Sequence, residues 1–224
     1  MQKENLSHIS LDTKQKRFAP IAEKIIVPII HTWIKDIHGL ENVPKNKNFI
    51  LAPNHASYIE HPLLAATLVP YLNKKIHFLA KKEHFTGKGQ YLWHMLWNKY
   101  IGYIPVDRSD ANDALITARE ILAKGEVLVT YPEGTRSLDG KLQKGKTGIA
   151  RLLLKTKLPV IPVGLNGTFE ILPKGKNIPR LRKATISFGK ALEFSEYYNS
   201  DVSYLQLREI TDKIMKEISV LISK

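Results

Sequence analysis

The chain has 224 residues, of which 43% are apolar, so it can bury the core of one domain, and intrinsic disorder is excluded. It contains no cysteine, which excludes disulfide scaffolds, thiolate catalysis and cysteine-ligated zinc. Its 34 lysines and arginines outnumber its 21 acids, giving a net charge of +13. This excess predicts an anionic partner, such as a phosphorylated substrate, nucleic acid or an anionic membrane.

The N-terminal stretch predicts an amphipathic helix. Residues 1–17 lack the apolar centre of a secretory signal, so we expect a cytoplasmic protein. Apolar residues recur at three- or four-residue steps over 17–37, the period of a helix with one apolar face. The charge-free part of this stretch has ten residues, which is too short for a bilayer span of about 20.

Two interpretations of this helix are open. It can pack on the protein core, or it can lie in a membrane interface with Trp33 near the headgroups. We expect residues 1–40 to form a membrane-associating segment and residues 41–224 to form an α/β domain. The protein would then work at the cytoplasmic face of the cell membrane, as a peripheral or monotopic enzyme.

Strand and helix patterns alternate through the rest of the chain. Apolar and β-branched runs predict strands at 49–53, 75–80, 102–106, 126–131, 159–165 and 184–188. Helical patterns occur at 60–70, 90–99, 110–124, 146–157 and 201–223, the last with Asp201 as its cap. The alternation predicts a single α/β domain with a mainly parallel mixed sheet flanked by helices. Ligands of such sheets bind at the carboxyl ends of the strands.

A histidine and a carboxylate follow the first of these strands. His55 comes directly after it, and Glu60 stands five residues further on. A general base needs a partner that fixes which ring nitrogen carries the proton, and Glu60 can be that partner if the intervening residues form one turn. The alternative is structural: His55 as a turn residue, Glu60 as the first residue of a helix, and the adjacent His61 as a competing partner.

Two further strands are followed by arginines. Arg108 ends the stretch GYIPVDR, and Arg136 lies within YPEGTRS. An arginine fork suits a phosphate monoester, while Gly134 permits close backbone approach and Thr135 adds a hydroxyl donor. Each arginine alone fits a surface ion pair equally well. Together with a histidine–carboxylate pair, they predict a base beside an anion site.

Four stretches together resemble a known family. NHASYIE, GYIPVDR, YPEGTRS and VIPVGL resemble, in order and separation, the four motifs of the glycerolipid acyltransferases, most closely the bacterial 1-acyl-glycerol-3-phosphate acyltransferases. The resemblance covers roughly residues 35 to 195. It departs at Glu60, where the family usually has Asp. Glutamate there is similar to related lipid A acyltransferases, so the acceptor headgroup stays open.

The resemblance implies an acyl transfer without a metal or a bound cofactor. His55 would deprotonate the sn-2 hydroxyl of a lysophosphatidic acid, and Glu60 would orient His55. The hydroxyl would attack the thioester of acyl carrier protein or acyl-CoA, giving phosphatidic acid. The acceptor phosphate would be held by Arg108, Arg136 and Lys81, in a pocket shaped by Glu133, Gly134 and Thr135. An acyltransferase for another lysolipid or a lipid-like alcohol is the alternative.

Residues 140–147, GKLQKGKT, match the phosphate-loop pattern of nucleotide triphosphatases. That pattern works only between a strand and a helix, and the nearest predicted strand ends at Tyr131, so we do not expect nucleotide binding.

Between 141 and 190 the chain has twelve basic residues and a single acid, Glu170. We interpret this block as a surface for an anionic membrane or an acidic carrier protein. Nucleic acid is not expected because only Phe169 and Phe188 are available for stacking, although a non-catalytic binding module with a structural His55 is the non-enzymatic alternative.

Overall fold

A computed structural model describes residues 20–81, 101–106 and 111–223. Seven strands in these ranges form one sheet: β1 (Ile34–His38), β2 (Ile50–Pro53), β3 (Ile76–Lys81), β4 (Ile101–Val106), β5 (Val127–Val129), β6 (Val160–Asn166) and β7 (Ala184–Phe188). Their order is β1-β7-β6-β2-β5-β3-β4, and every neighbouring pair is parallel except β6 with β7. The predicted α/β class with a mainly parallel sheet is confirmed.

Helices cover both faces of this sheet. The described ranges contain α1 (Pro20–His31), α2 (Glu60–Leu72), α3 (Ala111–Ala123), α4 (Gly148–Thr156), α5 (Thr168–Ile171) and α6 (Tyr204–Ile222). α1 and α2 contribute to one buried apolar cluster, and α3, α4 and α6 contribute to the other. The helix predicted at 90–99 lies outside the described residues. None of the described helices is long and apolar enough to cross a bilayer.

The helix predicted over residues 17–37 is wrong at its C-terminal end. α1 stops at His31, and Ile34–His38 form strand β1, which pairs in parallel with β7. The free edge of β7 offers backbone partners that a helix would leave unused, and the main-chain N–H of Ala184 already donates to the carbonyl of Trp33 at 2.8 Å. The β-branched Ile34 and Ile37 suit such an edge strand. Membrane association of residues 1–40 stays a prediction.

α1 has a packed side and an open side. Ile30 is buried and Ile26 packs against the same cluster, whereas Ile25 and Ile29 are 58% and 53% exposed. The structure therefore supports the core-packed interpretation for one side of the helix. It leaves two isoleucines on the other side in contact with solvent.

The last helix begins later than the sequence predicted. Its cap is Ser203, not Asp201, and α6 starts at Tyr204. Ser203 accepts a hydrogen bond from the main-chain N–H of Gln206, while the Gln206 side chain accepts from the main-chain N–H of Ser203. This capping box satisfies two main-chain N–H groups at the start of the helix, those of Ser203 and Gln206. Asp201 lies two residues further from the first turn, and it does not take part in these bonds.

The centre of the sheet determines where ligands can bind. β2 lies between β6 and β5, and the three strands are mutually parallel. Because their carboxyl ends meet at one edge, the segments that follow them, 54–59, 130–147 and 167–171, converge there.

Candidate active site

The turn after β2 is locked to the neighbouring strand β6. The Asn54 side chain donates to the carbonyl of Leu165 at 3.0 Å and accepts from the N–H of Leu165 at 2.7 Å. Asn54 is buried, so these bonds have no competition from water. They fix the position from which His55 leaves the sheet.

His55 and Glu60 are in direct contact. His55 Nδ1 lies 2.7 Å from Glu60 Oε2, and α2 begins at Glu60, which folds its carboxylate back over the preceding turn. The other carboxylate oxygen, Oε1, accepts from the N–H groups of Ala56 and Ser57, both at 2.7 Å, and from the Thr168 hydroxyl at 3.0 Å. Three hydrogen bonds to Oε1 hold the carboxylate in place, and the carboxylate in turn fixes the orientation of the imidazole through Oε2.

Burial dominates the electrostatics of this pair. The Glu60 side chain is fully buried, and its burial raises the pKa of the carboxyl to about 8. The hydrogen bonds from Ala56, Thr168 and Ser57 and the charge of Arg136 act in the opposite direction and lower this pKa. The His55 side chain keeps 13% of its surface exposed, so a reactant can reach the ring although its partner is sealed.

A second carboxylate holds the main chain of His55. Glu133 Oε1 accepts from the His55 N–H at 2.6 Å, and the N–H of Ser137 donates to the His55 carbonyl at 2.8 Å. Glu133 Oε2 accepts from the main-chain and side-chain nitrogens of Gln143, at 2.9 and 3.3 Å. Burial raises the pKa of Glu133 to about 7. The loop 130–147 therefore clamps both backbone groups of His55.

The ring of Tyr131 stacks on the imidazole. The ring centroids of His55 and Tyr131 are 3.8 Å apart, with an interplanar angle of 21°. His61, Phe78 and Tyr103 extend this aromatic cluster. The Tyr131 hydroxyl is buried and has no hydrogen-bond partner among the described residues. Stacking limits ring rotation on the side that Glu60 does not control.

Arg136 lies at the same end of the sheet. Its guanidinium carbon is 3.3 Å from the centre of the Tyr58 ring, which is a cation–π geometry. Within the described part of the chain, its buried Nη1 has no hydrogen-bond partner, and burial lowers the pKa of Arg136. A buried guanidinium nitrogen without an acceptor favours the binding of an anion.

Of the other residues predicted for the anion site, the structure describes some fully and others in part or not at all. Gly134 has a φ of +70°, a conformation that L side chains rarely adopt, and Thr135 is exposed. Lys81 ends β3, but its side chain lies outside the described part, as does the whole of Arg108. Their predicted contacts with phosphate stay predictions. No three metal-ligating side chains gather in the described ranges.

The residues that match the phosphate-loop pattern do not have its context. The loop 130–139 separates β5 from residue 140. Further along, the carbonyl of Gly145 accepts from Arg208 Nη1 at 2.6 Å, and a Cβ on Gly145 would lie 2.7 Å from Met215. This segment packs on α6 and has no strand directly before it.

The sequence did not assign several residues that build this site. Thr168 supports Glu60, Ser137 and Gln143 complete the clamp, Tyr131 stacks on the ring, and Tyr58 covers Arg136. The apolar run at 126–131 predicts a strand and indicates no further role for Tyr131. Thr168 carried a weak signal, since it follows the carboxyl end of a central strand by two residues.

Comparison with known proteins places these features in a family. The family model described as Acyltransferase matches residues 35–166. The 1-acyl-sn-glycerol-3-phosphate acyltransferase of Bacillus subtilis is 28% identical over 190 residues, which are 84% of this chain and 88% of that protein.

A plant enzyme and a solved structure are also similar. The chloroplastic 1-acyl-sn-glycerol-3-phosphate acyltransferase BAT2 of Brassica napus is 32% identical over 73% of this chain, and this chain spans 47% of that protein. The crystal structure of the 1-acyl-sn-glycerophosphate acyltransferase PlsC of Thermotoga maritima has a TM-score of 0.62 and 27% identity, and covers 91% of this chain and 82% of its own.

Proposed function

The chain belongs to the acyltransferase family, and we propose that it transfers a fatty acyl group from a thioester to the sn-2 hydroxyl of 1-acyl-glycerol-3-phosphate, giving phosphatidic acid. The names of its relatives support this acceptor. The observation that carries the proposal is the 2.7 Å contact between His55 Nδ1 and a fully buried Glu60. This contact is the base-plus-orienter arrangement that general base catalysis needs.

The transfer needs no covalent enzyme intermediate. Glu60 Oε2 accepts a hydrogen bond from the Nδ1–H of His55, so Nε2 is the ring nitrogen that takes the proton of the lipid hydroxyl. The hydroxyl oxygen attacks the thioester carbonyl carbon, and collapse of the tetrahedral intermediate breaks the carbon–sulfur bond. His55 then returns its proton to the departing thiolate. Every proton and electron pair is accounted for by the two substrates and one histidine.

The acceptor phosphate binds beside this centre. Arg136 supports this assignment because its buried Nη1 has no hydrogen-bond partner in the described part. A phosphate can accept hydrogen bonds from guanidinium nitrogens through two of its oxygens, which would satisfy Nη1. We assign Arg108 and Lys81 to the same phosphate from the motif resemblance, and Gly134 and Thr135 to the walls of the pocket. Glu133 contributes from behind, by fixing the backbone of His55.

The donor is a thioester of acyl carrier protein or of CoA, and it is a co-substrate rather than a bound cofactor. The enzyme acts as a peripheral or monotopic protein at the cytoplasmic face of the cell membrane. Two features support this location. Anionic lipid attracts the basic block at 141–190, and the membrane interface can accommodate the exposed Ile25 and Ile29 of α1.

A second acceptor class remains in consideration because of Glu60. The family usually has Asp in that place, and a side chain longer by one methylene brings the carboxylate to His55 from further away. We therefore include another lysolipid or an uncharged lipid-like alcohol as the alternative acceptor. In that case the cation at Arg136 contributes little to acceptor binding.

A panel experiment tests the function. The purified protein is incubated with labelled lysolipids that differ in headgroup, with the acyl thioester of acyl carrier protein or of CoA as the donor. We expect lysophosphatidate to be the fastest acceptor, and His55→Ala to lower kcat by roughly 10²- to 10⁴-fold. Failure of the wild-type protein to acylate any member of the panel would refute the proposal.

A second variant separates the two acceptor classes. Arg136→Ala should raise the KM for lysophosphatidate much more than it lowers kcat, because the guanidinium binds the phosphate and not the reacting atoms. An unchanged KM argues for an uncharged acceptor. A binding module without activity would keep its lipid affinity in the His55→Ala variant and would have no transfer activity to lose.

A further inference from the structure

A loop with high positive charge joins α5 to β7. Residues 173–183, called here the basic loop, contain five cations and no acid: Lys174, Lys176, Arg180, Arg182 and Lys183. All five are exposed. Such a density of one sign in eleven residues creates a local field that attracts an anionic surface.

Two aliphatic side chains project from the same loop. Ile178 is 82% exposed and Leu181 is 95% exposed. Single exposed apolar residues are common on soluble proteins. This loop combines two almost fully exposed aliphatic side chains with five cations. Such a composition is typical of a surface that inserts apolar side chains between lipids while its cations contact headgroup phosphates.

Both ends of the basic loop are fixed to other parts of the molecule. At its start, the Ser57 hydroxyl donates to the carbonyl of Leu172 at 2.7 Å, and Ser57 forms a β-bridge with Pro173. Near its end, the Trp33 indole donates to the carbonyl of Arg180 at 3.0 Å. The loop is therefore connected on one side to the turn that carries His55, and on the other to the segment that follows α1.

We propose that the basic loop docks this protein on an anionic bilayer, with Ile178 and Leu181 inserted into the interface and the five cations bound to lipid phosphates. α1, which carries the exposed Ile25 and Ile29, ends at His31, two residues before the Trp33 that contacts the loop. Docking through Ser57 brings the turn of His55 to the membrane, where a lipid acceptor is available. The inference rests on the proposed function only for this last consequence.

The occupant is a bilayer rather than a protein. Five cations alone fit an acidic carrier protein as well, but charge complementarity does not require Ile178 and Leu181 to stand uncovered in solvent. A bilayer uses both features at once, because apolar burial and headgroup attraction add to each other.

Vesicle sedimentation tests the docking surface. The full chain and the double variant Ile178→Asp/Leu181→Asp are mixed with vesicles of phosphatidylglycerol and phosphatidylcholine, and the partition constant is measured. We expect the double variant to bind at least about tenfold more weakly, because it loses the apolar burial of two side chains and adds two charges of the wrong sign.

The matched control is Leu205→Asp. Leu205 is 78% exposed, but it lies in α6, a helix that covers the sheet face opposite α1. Its partition constant should stay within about twofold of the wild type, since one distant surface charge changes the total field little. Equal weakening by the control and the double variant would overturn the proposal.

A charge variant tests the cations separately. Lys174→Gln/Lys176→Gln should lower binding to anionic vesicles by about fivefold for each lysine engaged, and the loss should shrink as salt rises. Vesicles of phosphatidylcholine alone should show no difference between this variant and the wild type. Unchanged binding to anionic vesicles would contradict the role of the cations.

An activity measurement separates this proposal from the proposed function. With a short-chain lysophosphatidate that is dissolved as monomers, the Ile178→Asp/Leu181→Asp variant should match the wild type. No activity in either protein refutes the acyl transfer and leaves the vesicle result valid. If the variant instead binds vesicles normally and loses only the use of acyl carrier protein, the surface docks that protein and the membrane proposal is wrong.

Discussion

Two carboxylates contact His55, and each binds a different part of the residue. Glu60, five residues away in sequence, contacts the imidazole, whereas Glu133, 78 residues away, accepts from the main-chain N–H. Both are almost completely buried, and burial raises the pKa of each, to about 8 and about 7. The shifted pKa therefore does not identify the role of a carboxylate at this site. The role of each carboxylate follows from its hydrogen-bond donor, which is the imidazole for Glu60 and the main-chain N–H for Glu133.

The largest effect is expected from breaking the contact with the ring. Glu60→Gln keeps the shape of the side chain, but it replaces the acceptor facing Nδ1 or turns an amide donor toward it, so the imidazole loses its fixed tautomer. We expect kcat to fall by about 10²-fold or more with a smaller change in KM. Steady-state kinetics with lysophosphatidate measure both constants.

Glu60→Asp is the matched control for this substitution. It keeps the charge and moves the carboxylate back by about 1 Å, which costs at most about 10²-fold, so its kcat should lie between those of Glu60→Gln and the wild type. Equal loss in both variants would mean that the position of the carboxylate matters more than its charge.

A smaller loss is expected from the carboxylate that holds the backbone. Glu133→Gln keeps one acceptor oxygen for either His55 or Gln143 and loses the other bond. We expect kcat to fall by about tenfold, because the ring moves slightly while its own partner stays in place. The charges of Glu60 and Glu133 repel each other, so removing the charge of Glu133 should move the pH of half-maximal activity slightly down. A shift to higher pH would contradict this repulsion.

The pH dependence should follow Glu60. The productive pair has an ionised Glu60 and an unprotonated Nε2, and burial raises the pKa of Glu60 to about 8. We therefore expect kcat/KM to rise with pH, to be half-maximal near pH 8 and to level off about one unit above it. Thr168→Val removes a hydrogen bond that lowers this pKa, so the rise should move to higher pH. A pH–rate profile of both proteins measures the shift.

The control for the threonine change is Thr211→Val. Thr211 is also buried, but its hydroxyl donates to the carbonyl of Leu207 within α6. This variant should keep the wild-type pH profile. Loss of stability alone would alter both variants alike, whereas a specific effect on Glu60 moves only the Thr168→Val profile.

The smallest effect is expected at the stacked ring. Tyr131→Phe keeps the ring on His55 and removes a buried hydroxyl that lacks a hydrogen-bond partner within the described chain. The free energy of unfolding should rise by about 1 kcal/mol, since an unsatisfied buried group is removed, and kcat should change by less than about threefold. Denaturant unfolding and kinetics measure these; a large loss of kcat would assign the hydroxyl to substrate.

The local part of the site was predictable from sequence, and the distant part was not. A histidine after a strand and a carboxylate five residues later can meet only across one turn, so His55 and Glu60 were paired correctly. The bond from His55 to Glu133 depends on how two loops settle after neighbouring strands, and nothing in the spacing of 78 residues specifies it. The predicted role of Glu133 in shaping the phosphate pocket stays a prediction, and its bond to the main chain of His55 is a role that the spacing did not indicate.

The same limit applies to the fold. Six strands were recognised because they are short apolar runs with turn residues at their ends. β1 was missed because Ile34 and Ile37 also continue the helical period of α1, and only pairing with β7 decides between the two. Ser203 displaced Asp201 as the cap because Gln206 completes a reciprocal box with serine.

The pairing of β1 with β7 also has a consequence for synthesis. Ile34 pairs with Ala184, so β1, the first of the seven strands in the described ranges, has to wait for β7, the last of them. At a translation rate of about 5 to 20 residues per second, this interval is roughly 8 to 30 s. Throughout it, Trp33 and the segment after α1 emerge from the ribosome without their final partners, and a nascent chain made beside a bilayer can meet lipid before its sheet is complete.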